Sequence, residues 1–128
     1  MRLLLDTHVF LWWAEDNPAL SNSARQAIGD EANECFLSIV SCWEMAIKAS
    51  LGKLRLSPSV ERFVVEQVGS NGFQLLPVDF RHVAAVEGLP FHHRDPFDRL
   101  LVTQTLAENL ILVTADSLMG KYGISVLW

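Results

Sequence analysis

The chain has 128 residues, half of them apolar and a fifth charged, with a mean hydropathy of +0.22. Such a chain suits one globular domain that buries a core without disulfides or structural metal, and the composition excludes a disordered tail, a collagen-like repeat and a coiled coil. The formal net charge of −5 argues against gripping nucleic acid by bulk positive charge. It leaves a nuclease open, because a metal-dependent site is itself a group of carboxylates that cations neutralise.

Leu3 to Leu5 is a continuous apolar run ended by Asp6 and Thr7. Met1 to Leu5 superficially resembles a leader, but Asp6 and His8 interrupt it and no small-residue cleavage site follows, so the run reads as a strand buried on both faces. Val9 to Glu15 predicts a helix stopped by Asp16-Asn17-Pro18, and Ser21 caps a second helix through about Ala32 with Ala24, Ala27 and Ile28 on its inner face. Cys35 to Ile39 reads as the second strand. Ser41 then caps a helix through about Leu51, with Glu44 completing a Ser-x-x-Glu capping box and Gly52 closing the end. Ser57-Pro58 opens the next helix with proline at its first position, and Val60, Phe63, Val64 and Val68 form the inner face. Gly69 to Gly72 ends it, and Phe73 to Val78 is a weaker third strand. Asp79 caps a helix over 80–87, residues 88–94 form a loop, and Asp95-Pro96 starts a helix that runs to about Glu108. Leu110 to Val113 and Ile124 to Leu127 are strands with a short helix between them. Strands alternating with helices predict a three-layer α/β sandwich around a mostly parallel sheet of about five strands, as a single domain. No run approaches the roughly 18 apolar residues of a membrane span. Cys35 and Cys42 sit among apolar neighbours and read as small core residues, for which a reducing, cytoplasmic setting is the simplest fit.

Four acids occupy special places in this order of elements. Asp6 is the first polar residue after the first strand, and Asp116 follows the strand ending at Val113. Glu44 and Asp98 lie early on helices that start at the same edge of the sheet. In open parallel sheets ligands bind outside the carboxyl ends of the strands, so both aspartates point into one crevice and the two helix acids converge on the same edge. Carboxylates within about 4–6 Å raise one another's pKa, and a fold keeps them together only if something offsets the repulsion. An all-oxygen donor set of this kind suits Mg²⁺ or Mn²⁺, and no Cys/His spacing suits zinc.

The neighbours of these acids read more than one way. Thr114 is either a strand-end hydroxyl or a partner of a site carboxylate, and Ser41 a helix cap or a support for the site. Asp95 caps its helix or assists a metal, and Arg99 pairs with a carboxylate or meets RNA backbone. His92 and His93 sit on a loop beside Asp95, within reach of a phosphate. Lys48, Lys53 and Arg55 form a modest basic stretch that suits phosphates or a solvated helix face.

Four segments together carry a family resemblance: Leu4-Leu5-Asp6-Thr7-His8; Ser38-x-x-Ser41-x-Trp43-Glu44 with Ile47-Lys48 and Gly52-Lys53-Leu54; Asp95-Pro96-Phe97-Asp98-Arg99; and Val113-Thr114-Ala115-Asp116. In this order, across essentially the whole chain, they resemble the PIN-domain family, in particular VapC-type toxins of bacterial toxin–antitoxin pairs. The resemblance implies a PIN-like fold and a Mg²⁺-dependent endoribonuclease, with Mn²⁺ able to substitute and with Asp6, Glu44, Asp98 and Asp116 as catalytic and metal-binding residues. It also implies an RNA substrate, a cognate antitoxin and a homodimer. The antitoxin would cover a groove near the site, with Trp12 or Trp13 as contacts. The alternative is a catalytically weak PIN-like module that binds RNA or protein. Phosphotransfer domains fit less well: His8 stands where a haloacid-dehalogenase-like phosphatase has its second Asp, and Asp6 lacks the acidic neighbour of a receiver domain.

Overall fold

The structure, a computed structural model, describes residues 1–128. Five strands, β1 (Arg2–Leu5), β2 (Glu34–Ser38), β3 (Gln74–Leu76), β4 (Ile111–Val113) and β5 (Ser125–Leu127), form one sheet in the order β3-β2-β1-β4-β5. Every pairing is parallel, so the sheet is wholly rather than mostly parallel. The helices are α1 (Thr7–Glu15), α2 (Asn22–Gly29), α3 (Ile39–Ser50), α4 (Val60–Asn71), α5 (Phe80–Ala85) and α6 (Pro96–Ala107). The predicted short helix after Asp116 is a 3₁₀ turn over Ser117–Tyr122.

The period-2 alternation of strand side chains divides the core into two layers. Leu3, Leu5, Cys35, Leu37 and Val113 face Val9 and Phe10 of α1, Ala24 and Ile28 of α2, Met45 of α3 and Val64 of α4. Leu4, Phe36, Leu76 and Leu112 face Leu101 and Val102 of α6, with Met119 of the 3₁₀ turn. Leu3 to Leu5 therefore bury both faces, the reason that segment is an unbroken apolar run. Cys35 is a buried core residue whose thiol burial pushes up to about 11, and burial also raises Cys42, so neither is a reactive thiol. No helix is long and apolar enough to cross a membrane.

Several boundaries differ from the sequence reading. The helix expected from Val9 begins at Thr7, immediately after Asp6. The second strand ends at Ser38, not Ile39, and the cap of α3 lies three residues before the expected one. Ser38 is the true N-cap, its hydroxyl accepting the Val40 N–H at 3.0 Å. The Ser41–Glu44 capping box is therefore absent. Gly52 does follow the helix in the left-handed region, φ 72°, and donates back to Ala49. Pro58 does not open α4; Ser59 caps it through the Arg62 N–H, and Val60 is the first helical residue. Proline lies before the cap because the hydroxyl of Ser59, not the ring of Pro58, satisfies an orphan donor of the first turn. Asp95 caps α6 as expected, accepting from Phe97 N–H at 2.8 Å.

Candidate functional site

The chain runs outward from β1 to β2 and β3, then returns to the other flank of β1 as β4. Connections leave β1 and β4 in opposite directions, and a crevice opens where they part. Asp6 and Thr114 stand side by side at this point, with the Asp6 N–H donating to the carbonyl of Val113 at 3.0 Å. The Asp6 carboxylate does not cap α1. Instead its Oδ2 accepts the Thr114 hydroxyl at 2.6 Å, and the same hydroxyl accepts the Asp116 N–H at 3.1 Å. One buried threonine thus ties two of the predicted acids together. Burial raises the pKa of Asp6, as does nearby Glu44, against the lowering effect of the Thr114 hydroxyl, the Thr7 N–H and His8.

Glu44 lies in the second turn of α3 and is 6% exposed. Its Oε1 takes the Thr7 hydroxyl at 2.8 Å, and its Oε2 meets the Lys48 ammonium at 2.5 Å. The Thr7 oxygen also lies 2.8 Å from the Ser41 hydroxyl. Thr7 has one proton and an ionised carboxylate only accepts, so Thr7 donates to Glu44 and Ser41 donates to Thr7. Ser41 is therefore a buried support of the site, not a helix cap. The bond to Glu44 raises the pKa of Lys48, opposed by burial and reinforced by Glu44, Asp95 and Asp98. This ammonium is thus a fixed counter-charge at the rim of the acidic group.

Asp98 sits in the first turn of α6. Burial foremost, then the charges of Asp95, Asp6 and Glu44, push its carboxyl up to about 7, against a lowering effect of His93. These mutual effects bring Asp6, Glu44 and Asp98 into one electrostatic cluster. Asp116 joins it through Thr114 and His93. Its Oδ1 accepts the Leu118 N–H at 3.0 Å, and its Oδ2 lies 2.6 Å from His93 Nε2. Asp95 holds the end of α6 and adds charge beside Asp98.

Arg99 does neither of the things its position suggested. It is 5% exposed, donates to the carbonyls of Pro90, Val86 and Leu89, and lies under the Phe91 ring. Its direction around α6 turns it away from Asp98, so it braces the 86–91 segment instead of meeting a carboxylate or RNA. His93, which the sequence offered only as a loop residue within reach of phosphate, is packed against Asp116 and Tyr122. Spacing carries no signal for a contact between residues 93 and 116. The supporting role of Thr7 was equally invisible, since an apolar-period helix starting at Val9 left it in a turn.

Two adjoining grooves flank the cluster and share His8 and Trp12. One is lined by Asp6, Val9, Ala115 and Asp116, the other by Thr7, Leu11, Lys48 and Lys53. Trp13 faces elsewhere, packing on Phe73 and donating to Asn71 at 3.0 Å. The roomiest hollow of the molecule, around Trp13, Asn33 and Asn71, holds none of the four acids. Away from the four acids, Asp79, His82 and Glu108 have their donor atoms within 4.8 Å of one another, a closeness that no three of the four acids reach. Glu108 follows Asp98 by ten residues on the α6 spiral, about 15 Å along the axis, so this is a separate place. His82 Nδ1 accepts the Asp79 N–H at 2.9 Å, its Nε2 faces Glu108 at 3.2 Å, and Arg81 pairs with Glu108. Both ring nitrogens are committed, and the group ties α5 to α6.

The sequence profile of the PIN domain matches residues 3–124. Ribonuclease VapC22 of Mycobacterium tuberculosis is 32% identical over 118 residues, spanning 89% of this chain and 86% of that protein. Among solved structures, VapBC2 from Rickettsia felis, bound to a DNA fragment from their promoter, superposes with a TM-score of 0.73 at 13% identity, covering 99% of this chain and 98% of that one. DNA-bound VapBC from Salmonella typhimurium gives 0.67 at 16% identity, covering 99% and 97%. With the parallel sheet, the acids at its switch point and a match over nearly its full length, the chain belongs to the PIN-domain family and to its VapC type.

Proposed function

We propose that the protein is a Mg²⁺- or Mn²⁺-dependent endoribonuclease and the toxin of a toxin–antitoxin pair. The observation that carries this reading is the gathering of Asp6, Glu44, Asp98 and Asp116 at the sheet's switch point, with Asp6 and Asp116 joined through Thr114 and Glu44 bonded to Lys48. Their hard oxygen donors fit a small divalent cation, and a cation is what relieves their repulsion. When bound, such an ion supplies an activated water and neutralises charge at phosphorus during in-line displacement. Asp6, Glu44, Asp98 and Asp116 hold it. Thr114 orients Asp6, and Thr7 with Ser41 orients Glu44. Lys48 and Lys53 line the adjoining groove and offer charge to the RNA backbone. No side chain acts as covalent nucleophile, and the products carry a 5′-phosphate and a 3′-hydroxyl. The similarity to a ribonuclease and to toxin–antitoxin complexes supports RNA as substrate and an antitoxin as partner.

The test is cleavage of a mixed RNA pool by purified, antitoxin-free protein in EDTA, Mg²⁺ and Mn²⁺, with Asp98→Asn as contamination control. Cutting should need the metal and fall at least 100-fold in Asp98→Asn. Cutting that survives EDTA or the substitution overturns the mechanism, and RNA binding without cutting by folded protein replaces it with the binding-module reading.

A further inference from the structure

His93 sits on a loop yet its side chain is only 9% exposed. Its Nε2 lies 2.6 Å from Asp116 Oδ2, and its Nδ1 lies 2.9 Å from the Tyr122 hydroxyl. The imidazole also stacks on the Tyr122 ring at 5.5 Å, and His92 packs edge-on against the same ring at 4.8 Å. A ring nitrogen this close to a carboxylate oxygen must carry the proton, since two lone pairs would repel. In the neutral imidazole Nδ1 is then the acceptor, and Tyr122 donates to it. Tyr122 therefore selects the tautomer with a proton on Nε2 and holds the ring in line with Asp116.

Asp116 has more need of such support than the other three acids. Asp6 directly follows a core strand, and Glu44 and Asp98 project from helices of twelve residues. Asp116 instead precedes a 3₁₀ turn, and its side chain is 37% exposed. The Leu118 N–H holds Oδ1 and His93 holds Oδ2, so the carboxylate plane is set from both sides while each oxygen keeps a free lone pair. Donors behind metal ligands fix their orientation and lower the ordering cost of binding.

We propose that His93, aligned by Tyr122, is a positioning residue that sets the Asp116 carboxylate for a divalent cation; this rests on the metal-site reading above. The experiment is Mn²⁺ titration of the antitoxin-free protein by calorimetry, without RNA, for wild type, Asp116→Asn, His93→Ala, His93→Gln and Tyr122→Phe. Thermal unfolding of each variant is followed alongside. Glutamine carries an N–H near the place of Nε2, so His93→Gln is expected to bind within about threefold of wild type. His93→Ala is expected to lose roughly 10-fold or more in affinity, the usual scale for removing such a partner. Tyr122→Phe, with the ring and its stacking kept, is expected to lose a few-fold. Wild-type affinity in His93→Ala, or Gln as weak as Ala, overturns the inference while Asp116→Asn still weakens binding. If wild type itself takes up no Mn²⁺, the metal-site reading falls and the inference with it.

Discussion

At Asp98 one carboxyl group reports the condition of the whole cluster. Burial and three acidic neighbours push it up to about 7 from an ordinary 3.8, so without a divalent cation the folded protein retains a proton that the unfolded chain releases. Folding is then penalised as pH rises from about 4 through about 7, and the penalty is complete above that. Asn at this position removes the titration. Three pKa units correspond to about 4 kcal/mol at most, and because the group is partly exposed solvent screening reduces this to about 1–2 kcal/mol. In EDTA, Asp98→Asn should therefore be more stable than wild type by about 1–2 kcal/mol at pH 8, with the difference vanishing near pH 4. Urea denaturation at a series of pH values measures it, and a variant less stable than wild type at pH 8 contradicts the electrostatic account. The buried hydroxyls complete the picture at this scale. Thr7 and Thr114 each answer a site carboxylate, Ser41 supports Thr7, and no buried side-chain polar atom in the protein lacks a partner.

At the scale of elements, the start of α3 decides what Glu44 touches. Serine occurs at both 38 and 41, and each satisfies a local rule for a helix start. The sheet selects Ser38, because β2 stays paired with β3 up to the Ser38–Leu76 register. Starting three residues earlier moves Glu44 from the first turn to the second and gives Ser41 and Glu44 a common direction toward Thr7. Ser38 is itself completely buried, capping Val40 while donating to Gln104 Oε1 at 2.5 Å. Ser38→Ala removes the cap and leaves the Gln104 oxygen without that donor, for an expected loss of about 1–3 kcal/mol. Ser41→Ala should leave the helix start intact and weaken the site instead. Far-ultraviolet circular dichroism with chemical denaturation of the two variants distinguishes these roles.

On the scale of the whole molecule, the site exists because the chain reverses direction across β1. Asp6 and Asp116 are 110 positions apart, and the parallel pairing of β1 with β4 makes their segments neighbours. Charge repulsion at that seam is the reason a bound cation should stabilise the whole fold. Mg²⁺ at 100 times its dissociation constant should raise the free energy of unfolding by about 2.7 kcal/mol, with EDTA reversing the effect. Asp6→Asn or Asp98→Asn should lose most of this stabilisation. Denaturation curves with and without Mg²⁺ are the measurement, and an equal rise in all three proteins would mean the ion acts elsewhere.

The amino-acid sequence by itself determined the alternation of strands and helices, the doubly buried first strand, and the caps at Ser21, Asp95 and Gly52. Each depends on periodicity or on chemistry within a few residues, which a single chain carries openly. The identity of the α3 cap, the inward turn of Arg99, and the contacts of Thr7 and His93 were decided only by tertiary structure. Each depends on which direction a side chain takes around a helix or which distant segment it meets, and sheet register and helix rotation set both.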